Sequence, residues 1–294
     1  MKFLKKMVFG SVTLSVIIMI VYFGFFNATQ DMPIQKEFTV PTDIQNSADS
    51  ELIKWGSGSL FDIFVDPKDL VTIDGKQIPM KATFELKPDL VDIYSEIGVY
   101  DKKNKPLFIV PVYTASAYSK NGFYDFYHGK CDTCLTTKIM SVNELGEQSS
   151  ANAVKVLGLL GYDSITDIEL DKNPSILSQY DKIIILHNEY VTKKMFDAIT
   201  SHPNVIYLYP NALYAEISAN FVDNTITLIR GHNFPDINIK NGFDWEHENT
   251  DPYEYDKECN NWKFYDIPNG KMLNCYPEQK IWKDKEFLKA LKEL

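Results

Sequence analysis

Three short, continuous apolar runs in the middle of this 294-residue chain limit its possible folds more than any other feature. They span residues 107–112, 182–186 and 205–209. Runs of this length without polar alternation are typical of strands that are covered on both faces. Helical patterns lie between them, one ending at Gly161 and another beginning after Thr192. This alternation predicts an α/β fold with a doubly wound, mostly parallel sheet.

The segments on either side of the predicted α/β domain, residues 106–220, follow other patterns. Residues 52–105 contain short strand-like runs separated by Gly and Pro, which predict a small β-rich lead-in. Residues 221–294 begin with a hairpin-like strand, continue through an acidic and aromatic stretch, and end in a helix from about Lys285. We therefore expect one α/β domain between a β-rich segment and a cysteine-containing C-terminal extension.

An uncharged apolar stretch occupies residues 7–28. About 20 helical residues, each rising ~1.5 Å, cross a hydrocarbon core of ~30 Å. A cleavable signal peptide has a shorter apolar region and a small-residue cleavage site, so this stretch predicts an uncleaved, single-pass transmembrane anchor. The positive-inside rule places the lysine-containing stub, residues 1–6, in the cytoplasm. The polar residues 29–51 are predicted to form a tether to a main domain on the outer side of the cell membrane.

The charge balance excludes nucleic acid as an expected partner. The chain has 30 Lys and Arg against 40 Asp and Glu, for a net charge of −10, and three of the lysines precede the apolar stretch. Binding to phosphates requires clustered Lys and Arg, whereas the rest of this sequence is acidic. The lipid bilayer remains the partner that the sequence predicts.

The four cysteines are expected to form two disulfides, because the predicted location is outside the cell. Cys131 and Cys134 have C-x-x-C spacing, and Cys259 and Cys275 follow far downstream. We predict the pairs Cys131–Cys134 and Cys259–Cys275, although four cysteines permit three connectivities. A zinc site and a thioredoxin-like redox site are the alternatives. The spacing of the second pair disfavours zinc, and the aromatic loop before Cys131 disfavours the redox site.

Each apolar run is followed within a few residues by side chains that can carry chemistry. Tyr118 follows the first run, His187 and Glu189 follow the second, and Asn211 follows the third. In open parallel sheets, ligands bind beyond the carboxyl ends of the strands. An imidazole beside a carboxylate can transfer protons, and Glu with tyrosinate suits a trivalent metal such as iron. The alternative is that these are ordinary loop residues without chemistry.

Four segments between about residues 107 and 217 resemble, in the same order, motifs of one family, the C-terminal-like domain of the N,N-dimethylformamidase large subunit. The family motifs are T-x-x-A-Y-N…G-G…Y, G-Y-D…L…P-x-L, H-D-E-Y-W and G-G-N-x-x-Y-W. The combination is more specific than any single motif. The matching segments are Thr114–Ser119 with Gly122 and Tyr127, Gly161–Asp163 with Leu170, Pro174 and Leu177, His187–Tyr190, and Asn211–Tyr214.

The resemblance implies a class I glutamine-amidotransferase-like, flavodoxin-like fold and an enzyme that hydrolyses a small amide. In the amidase members of the family, two tyrosines and a glutamate hold a mononuclear iron. By position, Glu189 would be the carboxylate ligand to iron and Tyr118 one tyrosine ligand. Tyr127 and Tyr124 are the candidates for the second tyrosine.

The resemblance also implies catalytic roles for His187, as a proton shuttle, and for Asn211, as a group that polarises the substrate. A ferric ion would lower the pKa of bound water and polarise the amide carbonyl. The chain departs from the family at Tyr209-Pro210, which replace paired glycines, and at Val191, which replaces Trp. A second hypothesis therefore keeps the scaffold without chemistry, as a non-catalytic, degenerate cell-surface binding or structural module.

Overall fold

The computed structural model describes residues 52–294 of the chain. The predicted cytoplasmic stub, transmembrane anchor and tether, residues 1–51, lie outside the described residues. Within the described part, no helix combines the length and the apolar character needed to span a membrane.

Fifteen strands and seven α-helices account for the regular structure of residues 52–294. The strands are β1 (Ile53–Ser57), β2 (Phe61–Val65), β3 (Leu70–Ile73), β4 (Lys76–Pro79), β5 (Thr83–Leu86), β6 (Leu107–Val110), β7 (Thr136–Lys138), β8 (Asp163–Thr166), β9 (Ile183–Ile185), β10 (Tyr190–Thr192), β11 (Val205–Tyr207), β12 (Ala215–Asn220), β13 (Thr225–Arg230), β14 (Phe264–Ile267) and β15 (Gly270–Leu273). The helices are α1 (Val91–Ile97), α2 (Val112–Ala117), α3 (Phe123–Tyr127), α4 (Ala151–Leu159), α5 (Asp167–Lys172), α6 (Lys193–Ser201) and α7 (Lys285–Glu293).

Local sequence signals set several helix starts. Thr166 and Glu169 form a capping box at the start of α5, where the Thr166 hydroxyl accepts from the Glu169 N–H at 3.1 Å and the Glu169 carboxylate accepts from the Thr166 N–H at 2.7 Å. At the start of α7, the Asp284 carboxylate accepts from the Phe287 N–H at 3.0 Å. These side chains satisfy N–H groups that have no partner inside the helix.

The prediction of a single doubly wound, mostly parallel sheet is wrong. Within residues 52–294 the strands form four sheets, in the orders β1-β2-β5, β3-β4, β10-β12-β13-β7 and β14-β15-β11-β9-β6-β8. The first two sheets are antiparallel throughout, and the third contains one parallel pair, β10 with β12. The sequence pattern identifies strands but not their partners, and short connections such as the one from β12 to β13 favour antiparallel hairpins.

The six-stranded sheet positions the candidate site. Strands β15, β11, β9, β6 and β8 run parallel in it, and β14 joins the edge antiparallel. Every residue of β6, β9 and β11 is buried, as their continuous apolar sequences require. In this order β6 lies between β8 and β9. The chain passes from β6 to β8 on one side and later adds β9 on the other side of β6. In α/β sheets ligands bind at such a point, which here lies at the carboxyl ends of β6 and β9.

Parts of the chain outside the predicted α/β domain complete these sheets. Strands β14 and β15, from the expected C-terminal extension, add the last two members of the six-stranded sheet. Strand β13, from the same extension, pairs with β12 and with β7. The residues after 220 are therefore integral to the core around the site.

The two predicted cysteine pairs are present at disulfide distance. The Cα atoms of Cys131 and Cys134 are 5.5 Å apart, and those of Cys259 and Cys275 are 5.2 Å apart. The first pair closes the loop that follows α3, and the second ties the acidic and aromatic stretch to the end of β15. Both pairs are compatible with an extracellular protein.

Candidate functional site

A fully buried carboxylate, that of Glu189, lies in the short connection between β9 and β10. The Glu189 N–H donates to the Thr114 hydroxyl on α2 at 3.0 Å. The Glu189 carbonyl accepts from the N–H groups of Tyr214 and Ala215, both at 2.9 Å. These backbone contacts fix Glu189 between α2 and the start of β12, just beyond the carboxyl end of β9, where the strand-end rule places ligand sites.

Two phenols adjoin this carboxylate. The hydroxyl oxygens of Tyr118 and Tyr124 are 2.5 Å apart, and the Tyr124 hydroxyl lies 3.4 Å from Glu189 Oε1. The two rings stack with centroids 3.9 Å apart. Gly122 permits the tight turn between them, because a Cβ there would lie 2.3 Å from the carbonyl oxygen of Ala117. The turn brings α3 back over the end of α2.

His232 is the member of the cluster that the sequence analysis missed. Its Nε2 makes a short contact with Glu189 Oε1. The residue follows β13, in a segment that carries no motif, and its backbone φ is +53°. No local signal identifies it, since only the pairing of β13 with β12 brings it to the carboxylate.

His187 faces the same carboxylate. Its Nδ1 lies 2.6 Å from the carbonyl oxygen of Gln148, and a carbonyl can only accept, so Nδ1 carries a proton. His187 Nε2 faces Glu189 Oε2 at 3.8 Å. Both atoms are buried, and neither has a hydrogen-bond partner among residues 52–294. Two unpartnered polar atoms that face each other in a buried site require a proton, a cation or a polar ligand between them.

The environment keeps the carboxylate charged and the phenols neutral. Burial alone would raise the pKa of Glu189, but the neighbouring His232, with smaller contributions from His187 and the Tyr118 hydroxyl, outweighs it and lowers that pKa. Burial, followed by the negative charge of Glu189, raises the pKa of Tyr118 and of Tyr124 well above the usual value. A bound cation would therefore be needed to deprotonate these two phenols.

The structure gathers most of the predicted site residues. Tyr118, His187 and Glu189 lie together, and of the two candidates for the second tyrosine, Tyr124 reaches both Tyr118 and Glu189. The Tyr127 ring packs against Tyr124 and His232, and its hydroxyl has no hydrogen-bond partner within the described residues.

Asn211 lies in the loop after β11 in a left-handed conformation, with φ +59°. Its side chain is buried, and its Oδ1 has no hydrogen-bond partner within the described part of the chain. No hydrogen bond joins the Asn211 side chain to Glu189 among the interactions of residues 52–294.

Comparison with protein-family models and a search of curated proteins both yield no match for this chain. Within the described part of the chain, no group of three or more His, Cys, Asp or Glu side chains is arranged to hold a metal ion. A metal at this site would therefore depend on the phenols as well as on Glu189. The family resemblance remains a prediction.

A second buried acid lies behind His187. Glu278 is fully buried, its Oε1 accepts from the Asn152 N–H at 2.6 Å, and its Oε2 makes a short contact with the Tyr209 hydroxyl. The Tyr209 ring stacks on His187 with centroids 6.1 Å apart. Burial raises the pKa of Glu278 from 4.5 to about 7.

Glu278→Gln is expected to remove part of the pH dependence of stability. Between pH 4.5 and about pH 7 the folded protein holds a proton on Glu278 that the unfolded chain has released. The free energy of unfolding therefore falls as pH rises through this window, by up to about 3 kcal/mol. Gln mimics the protonated acid, so urea unfolding at pH 5 to 8 should show the variant gaining stability over wild type as pH rises. Parallel pH curves for the two proteins would contradict this assignment.

Proposed function

We propose that the protein is a membrane-anchored, extracytoplasmic, metal-dependent hydrolase of small amides, with iron held by Tyr118, Tyr124 and Glu189. The observation that carries the proposal is the buried Glu189 carboxylate, whose Oε2 lies 3.8 Å from His187 Nε2 and has no hydrogen-bond partner among residues 52–294. Two stacked phenols border the same carboxylate.

The donor set suits a hard trivalent cation. A carboxylate and two phenol oxygens supply three negative charges once both phenols are deprotonated, and hard oxygen ligands favour a hard cation. A cation would also compensate the negative charge of the fully buried Glu189 carboxylate. When bound, ferric iron would act as a Lewis acid on the amide carbonyl and on water.

The residues of the chain supply the proton transfers of amide hydrolysis. The Gln148 carbonyl holds the proton of His187 on Nδ1, which leaves Nε2 as the base for a water molecule. As the water oxygen adds to the amide carbon and the C–N bond breaks, the proton on Nε2 passes to the leaving nitrogen. His232 orients the carboxylate through Glu189 Oε1, and the unpartnered Oδ1 of Asn211 is suited to accept a hydrogen bond from the substrate.

The test is the iron content of the full chain, purified in detergent and incubated with ferric iron. We expect about one iron per chain and a visible absorption band from tyrosinate bound to iron. Tyr118→Phe and Tyr124→Phe should lose that band and retain at least tenfold less iron. Tyr162→Phe is the matched control, since this tyrosine is also buried but lies outside the cluster. Iron-free wild type, or a band that survives in both variants, would refute the proposal.

One observation favours the alternative of a non-catalytic binding module. Tyr209, at a position where the family has glycine, is fully buried and stacks on His187, so it fills space beside the candidate base. This alternative predicts that wild type binds no iron. It also predicts that Tyr118→Phe leaves the affinity for a binding partner unchanged.

A further inference from the structure

An isolated hairpin presents an apolar face. Strands β3 and β4 pair only with each other, joined by a turn at Asp74-Gly75, and no other described strand extends their sheet. Val71 pairs with Ile78 and Ile73 with Lys76, so these four side chains share one face of the hairpin. Met80, whose N–H donates to the Asp69 carbonyl at 2.8 Å, continues the same alternation.

The apolar residues of this face are exposed to solvent. The exposed fractions are 36% for Val71, 50% for Ile73, 39% for Ile78 and 59% for Met80. A contiguous exposed apolar surface marks an interaction site more often than scattered single residues do. Thr72 and Gln77 lie on the opposite face together with Leu70 and Pro79, and Lys76 is the one charged residue among the five on the exposed apolar face.

Exposed apolar residues are concentrated in the part of the chain that follows the tether. Eight of the fifteen large hydrophobic side chains exposed within residues 52–294 lie between residues 52 and 86. These eight include Leu52, Ile53 and Trp55 on or beside β1. The distribution places the apolar surface close in sequence to the predicted membrane anchor.

We propose that the face formed by Val71, Ile73, Ile78 and Met80 inserts into the outer interface of the bilayer that anchors the chain. In the sequence, 23 residues, 29–51, separate the predicted anchor from the described part of the chain that begins with this apolar surface. The inference rests on the membrane anchor of the proposed function and is independent of the metal site.

The charge and the size of the face favour lipid over other occupants. Residues 68–81 carry Lys68, Lys76 and Lys81 against Asp69 and Asp74, so the hairpin is nearly neutral and its insertion depends on apolar contact rather than on anionic lipid. A stable dimer interface uses about 20–30 residues a side, far more than the four apolar side chains of this face.

Labelled cysteine variants of the full chain in phosphatidylcholine vesicles test the proposal. Because the four native cysteines are paired, a maleimide dye would label Ile73→Cys or, as the matched control on the opposite face, Thr72→Cys. We expect a lipid-borne quencher to quench the label at residue 73 at least threefold more than the label at 72. Aqueous iodide should show the reverse order, and 1 M salt should change neither result.

Several outcomes would overturn the proposal. Equal access of iodide to both labels, in chains that float with the vesicles, would show that the anchor holds while the hairpin stays in water. A second copy would be the occupant if the label at residue 73 is shielded from iodide but is not quenched from the lipid. In that case the shielding should increase with the density of protein on the vesicles. If the chain does not float with the vesicles, both the proposed membrane anchor and this inference are wrong.

Discussion

Glu189→Gln is expected to lose iron and amide hydrolysis together while the protein stays folded. Gln keeps the shape of the side chain but removes the buried negative charge that a ferric ion needs. The new amide also suits the metal-free site, because its N–H can donate to His187 Nε2 and its oxygen can accept from His232. Iron per chain and amine release from N,N-dimethylformamide should both fall by more than about a hundredfold.

Glu278→Gln is the matched control for this experiment, because it replaces a second fully buried glutamate that lies outside the cluster. We expect it to keep wild-type iron and wild-type hydrolysis. Near-ultraviolet circular dichroism should show native packing in both variants. Wild-type iron content in Glu189→Gln would contradict the assignment of the carboxylate as a ligand.

Gly270→Ala is expected to destabilise the protein by at least about 3 kcal/mol, because it acts on the backbone of the six-stranded sheet. Gly270 begins β15, pairs with Val205 of β11, and has φ +156°. A Cβ there would lie 1.8 Å from the Val205 carbonyl oxygen and 2.7 Å from its carbonyl carbon. Backbone atoms cannot move aside as a flexible side chain can, so β15 would have to separate from β11.

Gly56→Ala provides the control for Gly270→Ala. Gly56 lies in β1, and a Cβ added there would meet no heavy atom within 4 Å. Chemical denaturation should therefore place the Gly56→Ala midpoint close to that of wild type, with the Gly270→Ala midpoint much lower. Coincident midpoints for the two variants would show that β15 and β11 accommodate the added Cβ without a loss of stability.

The sequence predicted where most of the clustered residues lie, but not every residue that belongs to the cluster. Tyr118, His187 and Glu189 were expected together because each follows a buried strand, and the ends of parallel strands meet at one edge. The sequence did not decide whether Tyr124 or Tyr127 is the second tyrosine beside Glu189. The turn at Gly122 decides it, because it directs the Tyr124 hydroxyl toward Glu189. His232 has no such signal, because it reaches the carboxylate through a strand pairing that lies far along the chain.

By itself the sequence determined which segments are buried strands, which cysteines pair, and which polar residues stand at the strand ends. These properties depend on hydrophobic period and on neighbours in the chain, and both are visible in the order of residues. Only the tertiary structure decided that the strands divide among four sheets, that β14 and β15 complete the central one, and that His232 joins Glu189. Strand pairing and side-chain convergence depend on contacts between distant segments, which a local pattern does not contain.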